Sequence, residues 1–141
     1  MSDSVASDEL LARYITFSRW FRKQGLTVKQ DAFIPPDSEL SVTRHLSLTE
    51  KDIWKIGRDI AESIVPPKNL YGRADVETRH VIAQGLDVVS QPIEPDNPDH
   101  ANHNPNHANI VNWPTEKDAR KMCALEIAMA ARFVTNPEGK V

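Results

Sequence analysis

Apolar residues mark out the elements of this chain by their spacing. From Asp8 onward Leu10, Tyr14, Phe17 and Phe21 recur at i, i+4, i+7 and i+11. That interval predicts an amphipathic helix, with Arg19, Arg22 and Lys23 on the opposite side and Gly25 as its stop. The next stretch, "LTVKQDAFIPP", mixes β-branched and aromatic residues and halts at Pro35-Pro36, as a strand does. "LSVTRH" alternates, with Leu40 and Val42 on one face and Ser41, Thr43 and His45 on the other, which predicts a half-buried strand.

"TEKDIWKIGRDIAESI" predicts a helix capped by Thr49, with Asp52 at the reciprocal position of a capping box. Its expected stripe is Ile53, Ile56, Gly57, Ile60 and Ile64, flanked by Trp54, which is expected to pack into the core; Pro66-Pro67 end the helix. "LYGRAD" reads as a turn, Val76 to Gln84 as a short helix closed by Gly85, and "LDVV" as a strand. "HANIVNW" resumes as a strand with His107, Asn109 and Val111 on one face. Thr115, answered by Asp118, is expected to cap a last helix reaching about Arg132. The chain is therefore expected to be one α+β domain over residues 1–141, with loose tails at 1–7 and 135–141. Its expected core is a small mixed sheet of about four strands, with helices packed mainly on one face.

Residues 90–106 form a Pro- and Asn-rich loop without periodicity, holding four of the ten prolines. Inside it a phrase is doubled, "NPDHANH" followed by "NPNHANI", which brings His100, His103 and His107 close in sequence. Three imidazoles could serve Zn²⁺. However, the prolines and asparagines between them give no rigid scaffold, and no carboxylate stands at helical spacing as in H-E-x-x-H. The expectation is no metal and no cofactor. Metal-dependent hydrolysis by these histidines ranks last among the functions considered.

Composition narrows the class. Of 141 residues 40% are hydrophobic and 26% charged, with a net charge of −3, as in an ordinary globular domain and not a strongly basic nucleic-acid binder. Cys123 is the sole cysteine, so neither an internal disulfide nor a cysteine-based zinc site can form. The opening "MSDSVASDELLARY" shows no basic-then-apolar signal pattern, and no apolar run nears membrane-spanning length. The expected location is cytoplasmic, without membrane partners.

Candidate chemistry gathers at the ends of the expected strands. Arg44 and His45 close "LSVTRH", and Arg73 follows a glycine in "LYGRAD". His107 and Asn109 project side by side from their strand, able to act as acid/base or ligand-binding groups. Convergence of Arg44, Arg73 and His107 at one end of the sheet would form an anion pocket, because guanidinium suits phosphate and carboxylate; otherwise both arginines serve structural ion pairs. Glu126 falls at the centre of the last helix's expected stripe (Ala119, Met122, Cys123, Ile127, Ala130, Phe133), where a carboxylate must be paired or lie in a cleft. The interleaved "RWFRK" could suit an aromatic-basic surface, or simply an amphipathic helix.

Taken together, "SRWF", "DAFIPP", "LSVTRH", "LYGRAD", "NHANIVNWP" and the following "K…ALEIA" resemble a family of small bacterial proteins, from about Arg13 to Val134. The resemblance implies no activity and assigns no residue a role. In that pattern the loop before "NHAN" is short, so "DHANHNP" resembles an insertion. The leading expectation is a protein binding an anionic ligand, a nucleotide or nucleic-acid phosphate, through Arg44, Arg73, His107 and Asn109. Catalysis is left open, with His45, His107 and Glu126 as candidates for a phosphodiester or nucleotide reaction. The alternative is a non-catalytic module that recognises a protein partner through a sheet edge or the "RWFRK" segment.

Overall fold

The computed structural model describes residues 4–94 and 104–138. In chain order its elements begin with β1 (Leu10–Ile15), β2 (Phe21–Arg22), β3 (Thr27–Val28) and β4 (Leu40–Arg44), followed by α1 (Glu50–Ser63) and β5 (Gly72–Glu77). They continue with α2 (Thr78–Ile82), β6 (Asp87–Ser90), β7 (His107–Val111), α3 (Lys117–Ala130) and β8 (Arg132–Thr135). Six strands form one sheet in the order β6-β7-β4-β1-β5-β8, and β2 with β3 make a separate two-stranded ribbon. The architecture is α+β. The sheet is larger than the expected four strands and antiparallel throughout, not mixed.

The enlargement traces to three misread segments. The expected first helix is the central strand β1, which pairs with β4 on one side and β5 on the other. A strand buried on both faces carries apolar residues at successive positions, here Leu11, Ala12, Tyr14 and Ile15. Such a run cannot be told from a helical stripe by periodicity alone. The expected turn "LYGRAD" is most of β5, and the chain taken for a helix end and tail contains β8. Gly72 is needed there for close approach, since a Cβ would strike the Val134 carbonyl and come within 2.7 Å of the Phe133 ring.

The paired registers fix two faces. Leu11, Ile15, Leu40, Val42, Ala74 and Ile110 point to one side, where α3 contributes Ala124, Ile127 and Ala128 and α2 contributes Val81. Ala12 and Tyr14 point to the other, under Ile53, Trp54 and Ala61 of α1. The capping box of α1 forms as expected, Thr49 and Asp52 exchanging bonds of 3.1 Å. Its buried line is Ile53, Trp54, Gly57 and Ala61, rotated from the expected isoleucine stripe, with Ile56, Ile60 and Ile64 half-buried on its flank. Gly57 lets the helix lie on Tyr14, whose ring would meet an added Cβ at 2.6 Å. The box expected for α3 is absent; its N-cap is Glu116, with no side-chain cap bond.

Candidate functional site

On the α1 face the registers line up two rows of side chains across the sheet. One runs His107, Thr43, Ala12, Asp75 and Arg132; the other includes Asn109 beside Ser41 and Tyr14 beside Arg73. These rows hold Arg73, His107 and Asn109 of the residues singled out from sequence, and an ion-paired cluster and an open cleft lie beside them.

Arg73 is the hub of the cluster and is only 3% exposed. Its Nε donates to both Asp75 oxygens at 3.0 and 3.1 Å, and its Nη2 to Glu50 Oε2 at 2.8 Å. The guanidinium lies 4.8 Å from the centre of the Trp54 ring. Nη1 is buried without a hydrogen bond, and the neighbouring π face offsets part of that cost. Burial works against the charged form of Arg73, but Glu50 and Asp75 outweigh it and its pKa ends above the ordinary value. His45 completes the cluster with Nε2 3.1 Å from Asp75 Oδ1. An ionised carboxylate only accepts, so this geometry selects the tautomer with the proton on Nε2. One guanidinium among two carboxylates leaves no positive excess to attract an anion.

Arg44 does not join this group. It lies on the α3 face, opposite Leu11 in the register, and grips Glu9 with Nε–Oε2 at 2.6 Å and Nη2–Oε1 at 2.9 Å. Successive side chains of a strand point to opposite faces, so a pocket built from both Arg44 and Arg73 is excluded. His107 and Asn109 do share the Arg73 face, but both turn toward Gln91. His107 Nδ1 is 2.9 Å from the Gln91 carbonyl, and Asn109 Nδ2 donates to the Gln91 side chain. His45 and His107 come from neighbouring chain segments on one face, yet each is oriented by a different partner.

Glu126 is a correction. It is exposed and enters none of the ion pairs among the described residues. The buried side of α3 is Ala124, Ile127 and Ala128, while Met122 and Met129 are 57% and 72% exposed. Apolar residues surround most of this helix, so its stripe could be drawn on the wrong side. His100 and His103 lie outside the described residues. Among the described residues no group of three or more His, Cys, Asp or Glu is placed to hold a metal ion, and no helix is long and apolar enough to cross a membrane.

The open cleft, of about 240 Å³, arises where β1 and β4 part. Their pairing is confined to Leu11 with Arg44 and Ala12 with Thr43. Beyond it Arg13 reaches across the gap, donating from Nε to the Ala32 carbonyl at 2.8 Å and from Nη1 to the Ser41 carbonyl at 3.3 Å. Its guanidinium stacks 4.8 Å from the centre of the Trp20 ring. It is lined by the apolar or aromatic residues Tyr14, Phe17, Trp20, Val42, Ile60 and Ile64 and by Thr16, Ser41 and Thr43. The Tyr14 hydroxyl is already engaged, donating to the Ile53 carbonyl at 2.6 Å. Burial pushes that phenol well above its ordinary pKa, a rise the Thr43 contact and Arg73 only partly oppose.

Among the described residues Arg13 has no carboxylate partner, and burial pushes its pKa down to about 10. It remains a cation at neutral pH, held only by neutral carbonyls and an indole. Beside Phe17 of the cleft, Arg19 and Lys68 stand 4.6 and 4.9 Å from the ring centre, and neither enters an ion pair among the described residues. Sequence reasoning singled out none of these cations as site residues. The "RWFRK" pattern was the available signal, but a helical reading of the segment separated it from Ser41 and Ile60.

Searches against protein-family models, curated proteins and solved structures give no match for this chain.

Proposed function

We propose that this protein binds a small anionic ligand in the cleft between β1 and β4, with Arg13 as the anchoring cation. The observation that carries this function is a partly buried guanidinium, at the lining of an open hollow, whose polar partners among the described residues are all neutral. A desolvated charge without a counter-ion is costly, and an anion that takes up its remaining N–H groups relieves that cost. Arg19 and Lys68, beside Phe17, add positive charge that favours the approach of anions.

This moves the expected Arg/His site. Arg73 and Arg44 serve internal ion pairs, His107 and Asn109 serve the sheet edge, and the ligand-facing charge passes to Arg13. The nucleotide or nucleic-acid phosphate expected from sequence belongs to the class to be tried. Titration with inorganic phosphate, ATP, a short single-stranded oligonucleotide and simple carboxylates, followed by amide NMR shifts, tests the proposal. At least one anion is expected to shift Arg13, Ser41 and Thr43 and to raise the melting temperature. Arg13→Gln should abolish both effects. Absence of any anion effect, or an effect indifferent to Arg13, overturns it.

A further inference from the structure

The cleft also carries information about what kind of anion it takes. We infer that the ligand is an amphipathic monocarboxylate, a short acyl or aryl acid whose carboxylate meets Arg13 and whose apolar body lies against Ile60, Ile64 and Trp20. This inference depends on the anion-binding function proposed above and narrows it.

The head group follows from the donors left on Arg13. Nε is used by the Ala32 carbonyl and one Nη1 hydrogen by the Ser41 carbonyl. What remains is Nη2 and the second hydrogen of Nη1, neither of which donates to a side chain or carbonyl among the described residues, and guanidinium N–H groups of this kind suit one carboxylate. Among the described residues that line the cleft Arg13 is the only charged one, and the other polar ones are Thr16, Ser41 and Thr43 beside Tyr14. A polyphosphate asks for several cations, which this interior does not supply. The cations Arg19 and Lys68 sit on the face of Phe17 and serve approach more than seating.

The body follows from the walls and the size. Isoleucine, valine and aromatic surfaces predominate, so burial of hydrocarbon is the remaining source of affinity. At about 240 Å³ the hollow falls below the roughly 300–1,000 Å³ of pockets that enclose drug-sized ligands. It suits a body of roughly eight to twelve heavy atoms, taking the roughly 30 Å³ share of a liquid water as the upper volume per atom. A nucleotide is too large to be enclosed.

Octanoate, octanol, inorganic phosphate and ATP, each titrated into the full chain, make the test. Affinity is read by calorimetry, and seating by NOEs from ligand protons to the Ile60 and Ile64 methyl groups. Octanoate is expected to bind at least tenfold more tightly than octanol, with NOEs to both isoleucines. Arg13→Gln should weaken it about tenfold or more, the usual effect of losing charge-assisted hydrogen bonds. Arg13→Lys should weaken it less, keeping the charge without the fork. Ser41→Phe, a strand-compatible change at an exposed position, should block octanoate by filling the cleft while leaving the melting temperature of the free protein nearly unchanged. Arg13-dependent binding of phosphate or ATP without octanoate binding would overturn the carboxylate assignment and leave anion binding standing. Equal binding of octanol and octanoate, or no binding by any of the four probes, would overturn both.

Discussion

Arg73 and Arg13 belong to neighbouring strands of one sheet, and both guanidinium groups lie against tryptophan rings. Their polar surroundings differ. Arg73 is closed in by Asp75 and Glu50, so its charge is spent inside the fold. Among the described residues Arg13 meets two carbonyls and no carboxylate, so its charge is not balanced inside the fold. Arginine in a polar row therefore says little about ligands until its counter-ions are counted. The residue whose sequence context looked most like an anion grip is the one the fold has already neutralised.

The largest expected effect comes from opening the closed pair. Asp75→Ala leaves Arg73 buried beside an exposed Glu50 and should cost about 3–5 kcal/mol in chemical denaturation. Glu50→Gln, whose side chain is 67% exposed, should cost less than about 1 kcal/mol. Equal losses for the two would mean that Asp75 is not the principal counter-ion.

Arg13→Met should cost about 1–2 kcal/mol without ligand, because two carbonyls lose donors while a desolvated charge is also removed. A loss as large as that of Asp75→Ala would break the contrast between the two arginines. The pH dependence gives a second reading. The folded pKa of Arg13, about 10, lies below its ordinary 12.5. Between those values the unfolded chain binds the extra proton, so this group's contribution makes stability rise with pH. Arg13→Met should remove that rise when denaturation is compared between pH 10 and 11.

Tyr14 works with the opposite sign. Its folded pKa is raised above the ordinary 10.0, so its contribution is complete below pH 10 and declines as pH climbs above it. Tyr14→Phe should cost about 1 kcal/mol at pH 7 through the lost bond to Ile53. That cost should shrink by pH 11, and a constant penalty would show that the phenol is not desolvated. The smallest effect is expected at Glu126, where Glu126→Gln should change stability by no more than about 0.5 kcal/mol, as at other exposed positions.

What could be read from sequence was what is decided locally. The alternation of Leu40 to Arg44, the Thr49–Asp52 box and the strand from His107 all depend on neighbours a few residues apart. What could not be read is decided across the sheet. Tyr14, Phe17 and Phe21 keep helical spacing, yet Tyr14 belongs to a strand with two partners. Gly72 preceded Arg73 as a turn signal would, whereas its function is to admit β8. The cleft joins Arg13, Ser41 and Ile60, which no sequence spacing connects. Glu126 failed for a different reason: a helix with apolar residues nearly all round gives no preferred side to its stripe.

The order of strands has a consequence for synthesis. The central strand β1 is made before both its neighbours, since Leu11 finds its partners at Arg44 and Val76. A nascent chain must therefore extend far beyond "LLARYI" before both edges of that segment can be satisfied. Until then its two apolar faces and its unpaired backbone are open to the wrong neighbours. Long-range closure of this kind slows folding. Ribosome-bound chains that stop short of Glu77 leave β1 without its β5 partner and should depend on chaperones to remain dispersed.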